Sequence, residues 1–507
     1  MERTSISELT LYLTLTAFGF LLYSLSNYLK IALVAFRTPG PLAYPLIGNC
    51  LVANERDLLT NRIPNTYKTY GPLIRLWFGI LPVFVVLLPE DLQVILGSKK
   101  HTEKSRFYSL LHNFLGDGLI TSSGEKWESH RKYLQPTFHL SILEKFIATF
   151  ADSAQCLQEK LRDSDKINIT SFINGSVLDI LNEAVLGVPI KGDKTNVENS
   201  PFRDGKVTAP HRVANPWLLF SWIYKLTDAA NDELAQKKRL DEFTLKMIAK
   251  RRKALKTPGE IKRKCLLDYM LEISDINPDF TENDIVNEAC TFMLAGQDSV
   301  GASLAFSLFL LAKHQEHQEK CVDELNSIFD DDDRVPSMKD LKKMIYLETC
   351  IKEALRMYPA VPLIARRLGE DVKVGETVLP SGAEVFVIPY ATHRLEHVYP
   401  NPEEFIPERF TTKNSEHRNP YAFLPFSAGP RNCIGHKFAI IEMKTVISTI
   451  LRNYRLETIP GKDEVDPLFR ITLRARGGLW VRLEPRNNNN NNYVNPYSKK
   501  AAQNAED

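Results

Sequence analysis

The longest apolar run in the chain lies at its start. Residues 9–29 carry no charge, and Glu8 and Lys30 bracket them. About 20 apolar residues span a bilayer as a helix, so the run is predicted to be an uncleaved membrane anchor. The alternative is a cleaved signal peptide. That interpretation fits less well, because Glu2 and Arg3 do not form a positive start and no clear A-x-A site follows.

A second long apolar stretch extends from Thr281 to about Ala312. It is apolar on nearly every side, which predicts one buried central helix. Thr281 and Asp284 suit the N-terminal cap of that helix. Polar residues in its middle, Gln297 and Asp298, argue against a second membrane span.

Shorter patterns predict the remaining elements. An apolar stripe at helical spacing predicts one helix over Leu341–Tyr358. Alternating patterns predict β-hairpins over Leu73–Leu88 and over residues 371–390, the second turning at residues 380–382. Residues 105–123 are predicted to form a mobile loop.

The order of these elements predicts a mainly α protein with small β-sheets. Strands and helices do not alternate along the chain, and no G-x-G-x-x-G or Walker loop follows a strand. Those features exclude a Rossmann or P-loop enzyme.

Composition and charge narrow the class of protein. The chain has 507 residues, of which 44% are hydrophobic and 25% charged, as expected for a globular protein with a large core. Lys plus Arg is 64 and Asp plus Glu is 62, so the overall charge indicates no nucleic-acid partner. Seven cysteines without a C-x-x-C pair argue against a disulfide framework and favour a reducing compartment.

The chain is expected to divide into four parts. Residues 1–37 form the anchor, 38–50 a stiff proline-rich hinge rather than packed structure, 51–485 the main domain, and 486–507 a disordered Asn-rich tail. Lys30 and Arg37 follow the span, which places the main domain in the cytosol by the positive-inside rule.

One loop carries the strongest chemical signal. Within residues 425–435, Cys433 stands where a glycine-punctuated loop meets a predicted helix. A helix N-terminus lowers the pKa of a thiol, and the thiolate is a good ligand for a soft or borderline metal. Gly429 and Gly435 suit a sharply turning backbone, and Arg431 adds a positive charge. The alternative is a buried structural cysteine at a helix cap.

This loop resembles the haem-binding loop of cytochrome P450 enzymes, F-x-x-G-x-R-x-C-x-G. Its fixed positions are here Phe426, Gly429, Arg431, Cys433 and Gly435. The resemblance covers essentially residues 38–485. It implies the P450 fold, in which a long central helix lies over the haem and the cysteine loop lies beneath, with Cys433 as the iron ligand.

Two further motifs of the family concern haem propionates. The family's W-x-x-x-R corresponds to Trp127 and Arg131, which share one face of a predicted helix. Without the resemblance they would indicate an ordinary amphipathic helix. Arg366 lies where many members bind the other propionate, and Arg367 is the fallback.

The family's E-x-x-R corresponds to Glu353 and Arg356, which lock to an arginine further along the chain. Residues 407–410 supply that partner as Arg409. The resemblance implies a buried charge network that fixes the cysteine loop. An isolated pair of this kind would instead be a surface ion pair contributing about 0–1 kcal/mol.

Residues 295–299 resemble the oxygen-activation segment of the family. Gly296 would open the helix groove, while Asp298 and Ser299 would relay protons. Ser299 replaces the commoner threonine. The alternative is a kinked packing site for another helix. Many members of family 4 have at position 295 a glutamate that can be ester-linked to haem, but this chain has alanine. Haem b is therefore expected to be held non-covalently apart from the cysteine–iron bond.

Together the motifs imply a haem-thiolate monooxygenase, which in its sequence pattern is most similar to family 4. It would insert one oxygen atom of O2 into a hydrophobic substrate, such as a fatty acid or another lipid, a steroid-like compound or a xenobiotic. The apolar segments 361–364 and 467–472 match positions that line the family's pocket. The rivals are a haem-thiolate isomerase or dehydratase, and a non-enzymatic haem-binding protein.

The resemblance also implies partners and a location. Electrons would come from NADPH through NADPH–cytochrome P450 reductase, with cytochrome b5 as a further candidate donor. The expected location is the endoplasmic reticulum membrane, where the aromatic cluster in residues 201–225 would meet the bilayer interface. Basic residues flanking the cysteine side form either a docking patch or an ordinary solvated face: Lys126, Lys132, His436, Lys437 and Lys444.

Overall fold

The computed structural model describes residues 2–51, 58–162, 165–189, 201–202, 208–257, 259, 263–330 and 332–486. Within these ranges the chain is mainly helical, and helices of eight or more residues are numbered in chain order. They are α1 (Glu2–Arg37), α2 (Ile63–Tyr70), α3 (Pro89–Gly97), α4 (Gly124–Leu134), α5 (Ile147–Leu161), α6 (Ile169–Leu186), α7 (Asp228–Leu255), α8 (Leu266–Ile276), α9 (Glu282–Lys313), α10 (Gln315–Phe329), α11 (Ile345–Met357) and α12 (His436–Asn453).

Shorter helical segments connect them. They are Leu58–Arg62, Lys99–His101, Arg106–Leu111, His112–Leu115, Gln135–Phe138, Leu140–Leu143, Glu144–Phe146, Ala209–Ala214, Pro216–Leu219, Ser221–Tyr224, Met338–Lys343, Pro389–Thr392, Pro407–Phe410, Thr412–Ser415, Pro420–Ala422 and Gly429–Arg431.

The strands of the described chain form four small sheets. They are β1 (Leu73–Phe78), β2 (Leu81–Val86), β3 (Lys166–Asn168), β4 (Ile364–Arg367), β5 (Val372–Val374), β6 (Thr377–Leu379), β7 (Glu384–Val387), β8 (Tyr454–Thr458), β9 (Pro467–Phe469), β10 (Leu473–Ala475) and β11 (Trp480–Pro485). The sheet orders are β1-β2-β7-β4, β3-β11-β8, β5-β6 and β9-β10. Only the β2–β7 pair is parallel among them. The prediction of a mainly α fold with small sheets is confirmed.

Helix α9 forms the centre of the molecule, as its apolar pattern predicted. A capping box begins it: the Thr281 hydroxyl accepts the Asp284 N–H at 3.2 Å, and the Asp284 carboxylate accepts the Thr281 N–H at 3.0 Å. Most of α9 is buried, and its largest packing partner is α6. Although α9 is long and apolar enough to cross a membrane, its burial marks it as a core helix.

The single helix predicted over Leu341–Tyr358 is wrong. The structure has the short helix Met338–Lys343 and then α11, with a break at Met344. Met344 takes a non-helical ψ of 72° and is fully buried. Glu324 then accepts the N–H groups of Tyr346 and Leu347 at 2.7 and 3.0 Å, which provides a new helix start.

The hairpin predicted over residues 371–390 turns at a different place. β5 and β6 pair around Gly375, whose φ of +55° suits a tight turn. The bend at residues 380–382 instead leads the chain away into β7, which lies between β2 and β4. The first predicted hairpin, over Leu73–Leu88, is confirmed as β1–β2.

Residues 105–123 are more ordered than the predicted mobile loop. Two helical segments, Arg106–Leu111 and His112–Leu115, bury Leu110, Leu111 and Phe114 in the main core. The apolar side chains of the loop therefore stabilise it against the body of the protein.

The proline-rich segment 38–50 also packs, contrary to the prediction of a linker. The Arg75 N–H donates to the Pro39 carbonyl at 2.9 Å, and the Asn49 N–H donates to the Trp77 carbonyl at 2.6 Å. A Cβ at Gly48 would lie 2.1 Å from the Trp77 oxygen, so this close approach requires glycine. The segment lies along the edge of β1, where the Pro39 carbonyl and the Asn49 side-chain oxygen accept the N–H groups of Arg75 and Trp77. The Asn-rich tail predicted from residue 486 lies, apart from Arg486, outside the described residues.

Candidate functional site

A cavity of about 1240 Å³ lies between α9 and the loop that precedes α12. Cys433 lines it, together with Phe426, Arg431 and Gly435 from the same loop. The backbone N–H of Cys433 donates to the Phe426 carbonyl at 2.9 Å, which closes the loop on itself. The loop thus presents its cysteine to an enclosed space, as expected for a metal ligand.

Gly429 holds the loop in place from behind. Its φ is +70°, and a Cβ there would lie 1.9 Å from the carbonyl oxygen of Leu96 at the end of α3. Any other residue would collide with that backbone. Gly429 does not line the cavity, so its place in the motif reflects packing of the loop on α3 rather than contact with a ligand.

The electrostatic setting of Cys433 differs from the prediction. The Cys433 side chain is open to the cavity but enclosed by the surrounding protein, and this enclosure raises the pKa of its thiol, while the Gly435 N–H and the charge of Arg131 act in the opposite direction. Loss of hydration therefore outweighs the helix terminus. Coordination by a metal deprotonates a thiol outright, so this setting is compatible with a metal ligand although it does not create a thiolate unaided.

Four of the seven Lys and Arg residues that line the cavity influence one another near the cysteine loop: Lys104, Arg131, Arg366 and Arg431. Their partners are mostly neutral. Arg431 donates to the carbonyls of Thr102 and Ser122 at 2.9 and 2.8 Å, and Arg131 donates to the carbonyl and side-chain oxygens of Asn432 at 2.9 and 2.8 Å. Among the described residues, none of the four forms an ion pair with a carboxylate.

These four residues, the cavity cations, repel one another. Burial, followed by the charge of Arg366, lowers the pKa of Arg431 to about 9. Burial, Arg366 and Arg431 lower the pKa of Lys104 well below its usual range. Uncompensated buried charge is costly, and a ligand with negative groups would offset that cost. Haem b carries two propionates, so the residues present fit this cofactor.

The aromatic partner of this cluster is Trp127. Its ring is buried and lies 3.9 Å from the guanidinium of Arg431. Trp127 and Arg131 both lie on α4 and both line the cavity, as their spacing suggested. Of the two candidate arginines on β4, Arg366 is buried in the cavity wall, whereas Arg367 is more exposed and pairs with Glu103 at 3.2 Å.

The structure brings Glu353, Arg356 and Arg409 together. Two bonds of 2.8 Å join the Arg356 guanidinium to both oxygens of Glu353, and Arg409 reaches Glu353 at 3.3 Å. Glu353 and Arg356 are fully buried. The remaining N–H groups of Arg356 donate to backbone carbonyls, for example to Pro402 at 2.8 Å. We call these three residues the closed network.

His393, which sequence reasoning missed, joins the closed network to the cysteine loop. The Leu424 N–H donates to its Nε2 at 2.8 Å, so Nδ1 carries the proton and donates to the Arg356 carbonyl at 3.1 Å. Burial lowers the pKa of His393 to about 3, which keeps the ring neutral. No local pattern marks this histidine, because its partners are distant in the sequence.

The predicted oxygen-activation segment lines the opposite wall of the cavity. The Ser299 hydroxyl donates to the Ala295 carbonyl at 2.6 Å, and Asp298 forms an ion pair with Arg474 of β10. A Cβ on Gly296 would lie 2.7 Å from Leu181 of α6. The missing side chain of Gly296 thus permits close helix packing, as the alternative interpretation held, while its backbone contributes to the cavity wall.

The five basic residues proposed as a docking patch do not form one surface. Lys444 is buried and pairs with Glu348 at 2.5 Å. Lys126 pairs with Asp117 and Asp284 at 3.2 and 2.9 Å. Lys132 and Lys437 are exposed, and His436 is half-buried.

Residues 38–480 match the family described as Cytochrome P450. The relative "Probable cytochrome P450 4aa1" of Drosophila melanogaster is 56% identical over 498 residues, covering 96% of this chain and 98% of the relative. "Cytochrome P450 4c3" of the same organism is 37% identical over 479 residues, or 89% of each chain. "Cytochrome P450 4V2" of Mus musculus is 38% identical over 466 residues, or 88% of this chain and 89% of the relative.

Proposed function

The chain belongs to family 4 of the cytochromes P450 and is a haem-thiolate monooxygenase, and we propose that it is membrane-anchored and oxidises a lipid-like substrate with electrons from a reductase. The observation that carries the proposed oxidation is one cavity in the described part of the chain. It joins Cys433, the cavity cations and the Asp298–Ser299 segment to a largely apolar wall.

Cys433 would ligate the haem iron, and Arg131 and Arg366 would bind the two propionates. Lys104 and Arg431 would add charge to the same region. When bound, a thiolate-ligated haem would supply the chemistry for monooxygenation, in which one oxygen atom of O2 enters a C–H bond and the other leaves as water, with two electrons from the reductase and two protons.

The chain's own residues govern the supply of protons. Asp298 would take a proton from solvent, and Ser299 would pass it into the cavity. The ion pair with Arg474 holds the Asp298 carboxylate in one place. The Ser299 hydroxyl donates its proton to a hydrogen bond with the Ala295 carbonyl, and its oxygen retains lone pairs that can accept a hydrogen bond from water. Transfer therefore requires the hydroxyl to release Ala295.

The lining of the cavity supports a hydrophobic substrate. Phe107, Leu363, Phe386, Phe469 and Ile471 all contribute apolar surface. Such walls exclude water and suit a fatty acid or another lipid, a steroid-like compound or a xenobiotic.

The N-terminal helix supports attachment to the endoplasmic reticulum membrane. The stretch Leu9–Arg37 is mostly apolar and long enough to span a bilayer, and its residues 9–26 are exposed. The exposed aromatic residues Trp217, Phe220 and Trp222 are suited to a membrane interface. The proposed division is an anchor, a packed proline-rich connection in place of a hinge, and a cytosolic catalytic domain.

The test reconstitutes the full-length protein in lipid vesicles with NADPH–cytochrome P450 reductase, with and without cytochrome b5. Uptake of O2 and labelled O2 incorporation are then measured over panels of fatty acids, other lipids and steroids. We expect NADPH- and reductase-dependent product that contains one labelled oxygen atom. A product formed without an electron donor would identify an isomerase or dehydratase and contradict the proposal.

We also propose that the haem is not covalently linked, because Ala295 and Leu294 have no nucleophile. Acid–organic extraction should release all haem from the denatured protein. A haem-modified peptide spanning residues 291–299 would contradict this.

A further inference from the structure

Helix α1 is fixed to the body by its last third. Ile31 and Ala35 are buried in the core cluster around β2 and β7, and the Tyr28 hydroxyl donates to the Ile80 carbonyl at 2.9 Å. From about residue 27 onward, the direction of the helix is therefore set by the protein rather than by a flexible connection.

The exposed part of α1 matches the thickness of a bilayer. Residues 9–26 are all exposed, and at 1.5 Å per residue they extend about 27 Å, close to a hydrocarbon core of about 30 Å. If this part spans the membrane, as the proposed function holds, residues 27–30 lie at the depth of the lipid headgroups, and Arg37 lies about 10 Å further along the helix.

A cleft of about 500 Å³ opens at that depth between α1 and the end of the β5–β6 hairpin. Tyr23, Ser26, Asn27, Lys30 and Arg37 line its helical side, and Asp371 and Ser381 line the other. Asn27 Nδ2 donates weakly to the Ser381 carbonyl at 3.4 Å. The cleft therefore presents polar groups beside an apolar helix, and Leu33, Val34 and Pro380 complete its lining.

The charge in this cleft is not balanced. Lys30 and Arg37 lie seven residues apart, about two helical turns, and so face the same side. Both are exposed, and neither forms an ion pair with a described carboxylate. The acid in the cleft, Asp371, accepts the Ser381 N–H at 2.8 Å. Two cations therefore face one carboxylate, beside the hydroxyls of Tyr23 and Ser26.

We propose that this cleft, the headgroup cleft, binds the phosphate of an anionic phospholipid, which fixes the orientation of the catalytic domain on the membrane. Lys30 and Arg37 would contact the phosphate, and the hydroxyls would supply hydrogen bonds. The acyl chains would lie along the apolar face of α1. This inference rests on the proposed membrane anchor.

The first test is native mass spectrometry of the detergent-solubilised, full-length holoenzyme with added phosphatidylserine or phosphatidylcholine. The wild type should retain one phosphatidylserine in preference to phosphatidylcholine. Lys30→Gln with Arg37→Gln should weaken retention about fivefold for each cation removed. Asp371→Asn should strengthen it, because this change removes a like charge and keeps the acceptor for Ser381.

A matched control removes two exposed cations elsewhere. Lys339→Gln with Lys342→Gln alters the short helix Met338–Lys343, which packs on α12, and should leave retention unchanged. Equal retention of phosphatidylserine by the wild type and the Lys30/Arg37 variant would overturn the proposal. Displacement of the lipid by inorganic phosphate at constant ionic strength would show a free-phosphate site and overturn the lipid assignment.

Flotation with pure phosphatidylcholine vesicles separates this inference from membrane anchoring. Wild type and variants should all float, because the apolar helix is intact in each. If none floats, the anchor fails and the cleft proposal fails with it. If all float but phosphatidylserine retention is insensitive to Lys30 and Arg37, only the headgroup cleft is rejected.

Discussion

The closed network and the cavity cations are both buried groups of charge, yet their charges are satisfied in different ways. In the closed network, Glu353 binds Arg356 and Arg409, and backbone carbonyls accept further N–H groups of Arg356. Among the cavity cations, Arg131 and Arg431 donate to neutral oxygens and none pairs with a described carboxylate.

This difference distinguishes a group of charges that stabilises the fold from one that is suited to binding a ligand. A charge pair that the protein completes itself can only hold elements together, and it costs stability when one member is removed. Buried cations that lack counter-charges raise the energy of the protein until an anion arrives. The first cluster is therefore suited to holding the elements around the cysteine loop together, and the second is suited to a ligand with carboxylates.

The largest expected effect comes from breaking the closed network. Glu353→Gln leaves the fully buried Arg356 without a carboxylate and should lower the free energy of unfolding by about 3–5 kcal/mol. Denaturant unfolding of the holoprotein measures this change. Glu396→Gln is the control, because its pair with Lys68 is exposed and should contribute about 0–1 kcal/mol. Equal effects of the two substitutions would remove the distinction.

Arg366→Met tests the cavity cations. The variant should lose haem to a scavenger protein about tenfold faster or more, because a charge-assisted contact contributes about 1.5–3 kcal/mol. The haem-free protein should be as stable as the wild type or more so, since a buried repulsive charge is gone. Arg367→Met, which alters the more exposed neighbour, is the control. If Arg366→Met destabilised both forms equally, Arg366 would be a structural residue.

Glu442 extends the comparison to a buried carboxyl with no described hydrogen-bond partner. Burial raises the pKa of Glu442 to about 8, compared with about 4.3 for an unfolded glutamate. Between these values the folded protein retains a proton that the unfolded chain releases. Stability should therefore fall as the pH rises through this window, by up to about 1.4 kcal/mol per pH unit.

Glu442→Gln should abolish that contribution, so the gain in unfolding free energy over wild type should be larger near pH 8 than near pH 5. Unfolding curves of both proteins at a series of pH values measure it. A gain that does not change with pH would show that the Glu442 carboxylate is already ionised in the folded protein.

Ser299→Ala should have the smallest effect on stability, within about 0.5 kcal/mol, because the hydroxyl bonds only its own helix. Its effect should appear in the reaction, as less product and more peroxide per NADPH consumed. Unchanged product per NADPH would remove Ser299 from the proton path.

Features with a local pattern could be predicted from the sequence. The capped helix α9, the β1–β2 hairpin and the cysteine loop each follow from neighbouring residues. The break at Met344 could not be predicted in this way, because it depends on Glu324 in a different helix. The packing of residues 105–123 and 38–50 likewise depends on surfaces formed elsewhere in the chain.

The candidate site shows the same limit. Lys104, His393 and Arg474 have no motif of their own, and each acquires its place through a residue far along the chain: Arg366, Arg356 and Asp298. The position of Cys433 could be predicted, but the direction of its pKa could not. Burial in the assembled cavity outweighs the helix terminus that the sequence reveals.

The ferrous carbon monoxide spectrum of wild type and Cys433→Ala tests the central claim most directly. Of the seven cysteines, all described, only Cys433 lines the cavity. The wild type should show the Soret band of a thiolate-ligated haem, and the variant should lose it. A variant that retained the wild-type band would contradict Cys433 as the iron ligand and the site built around it.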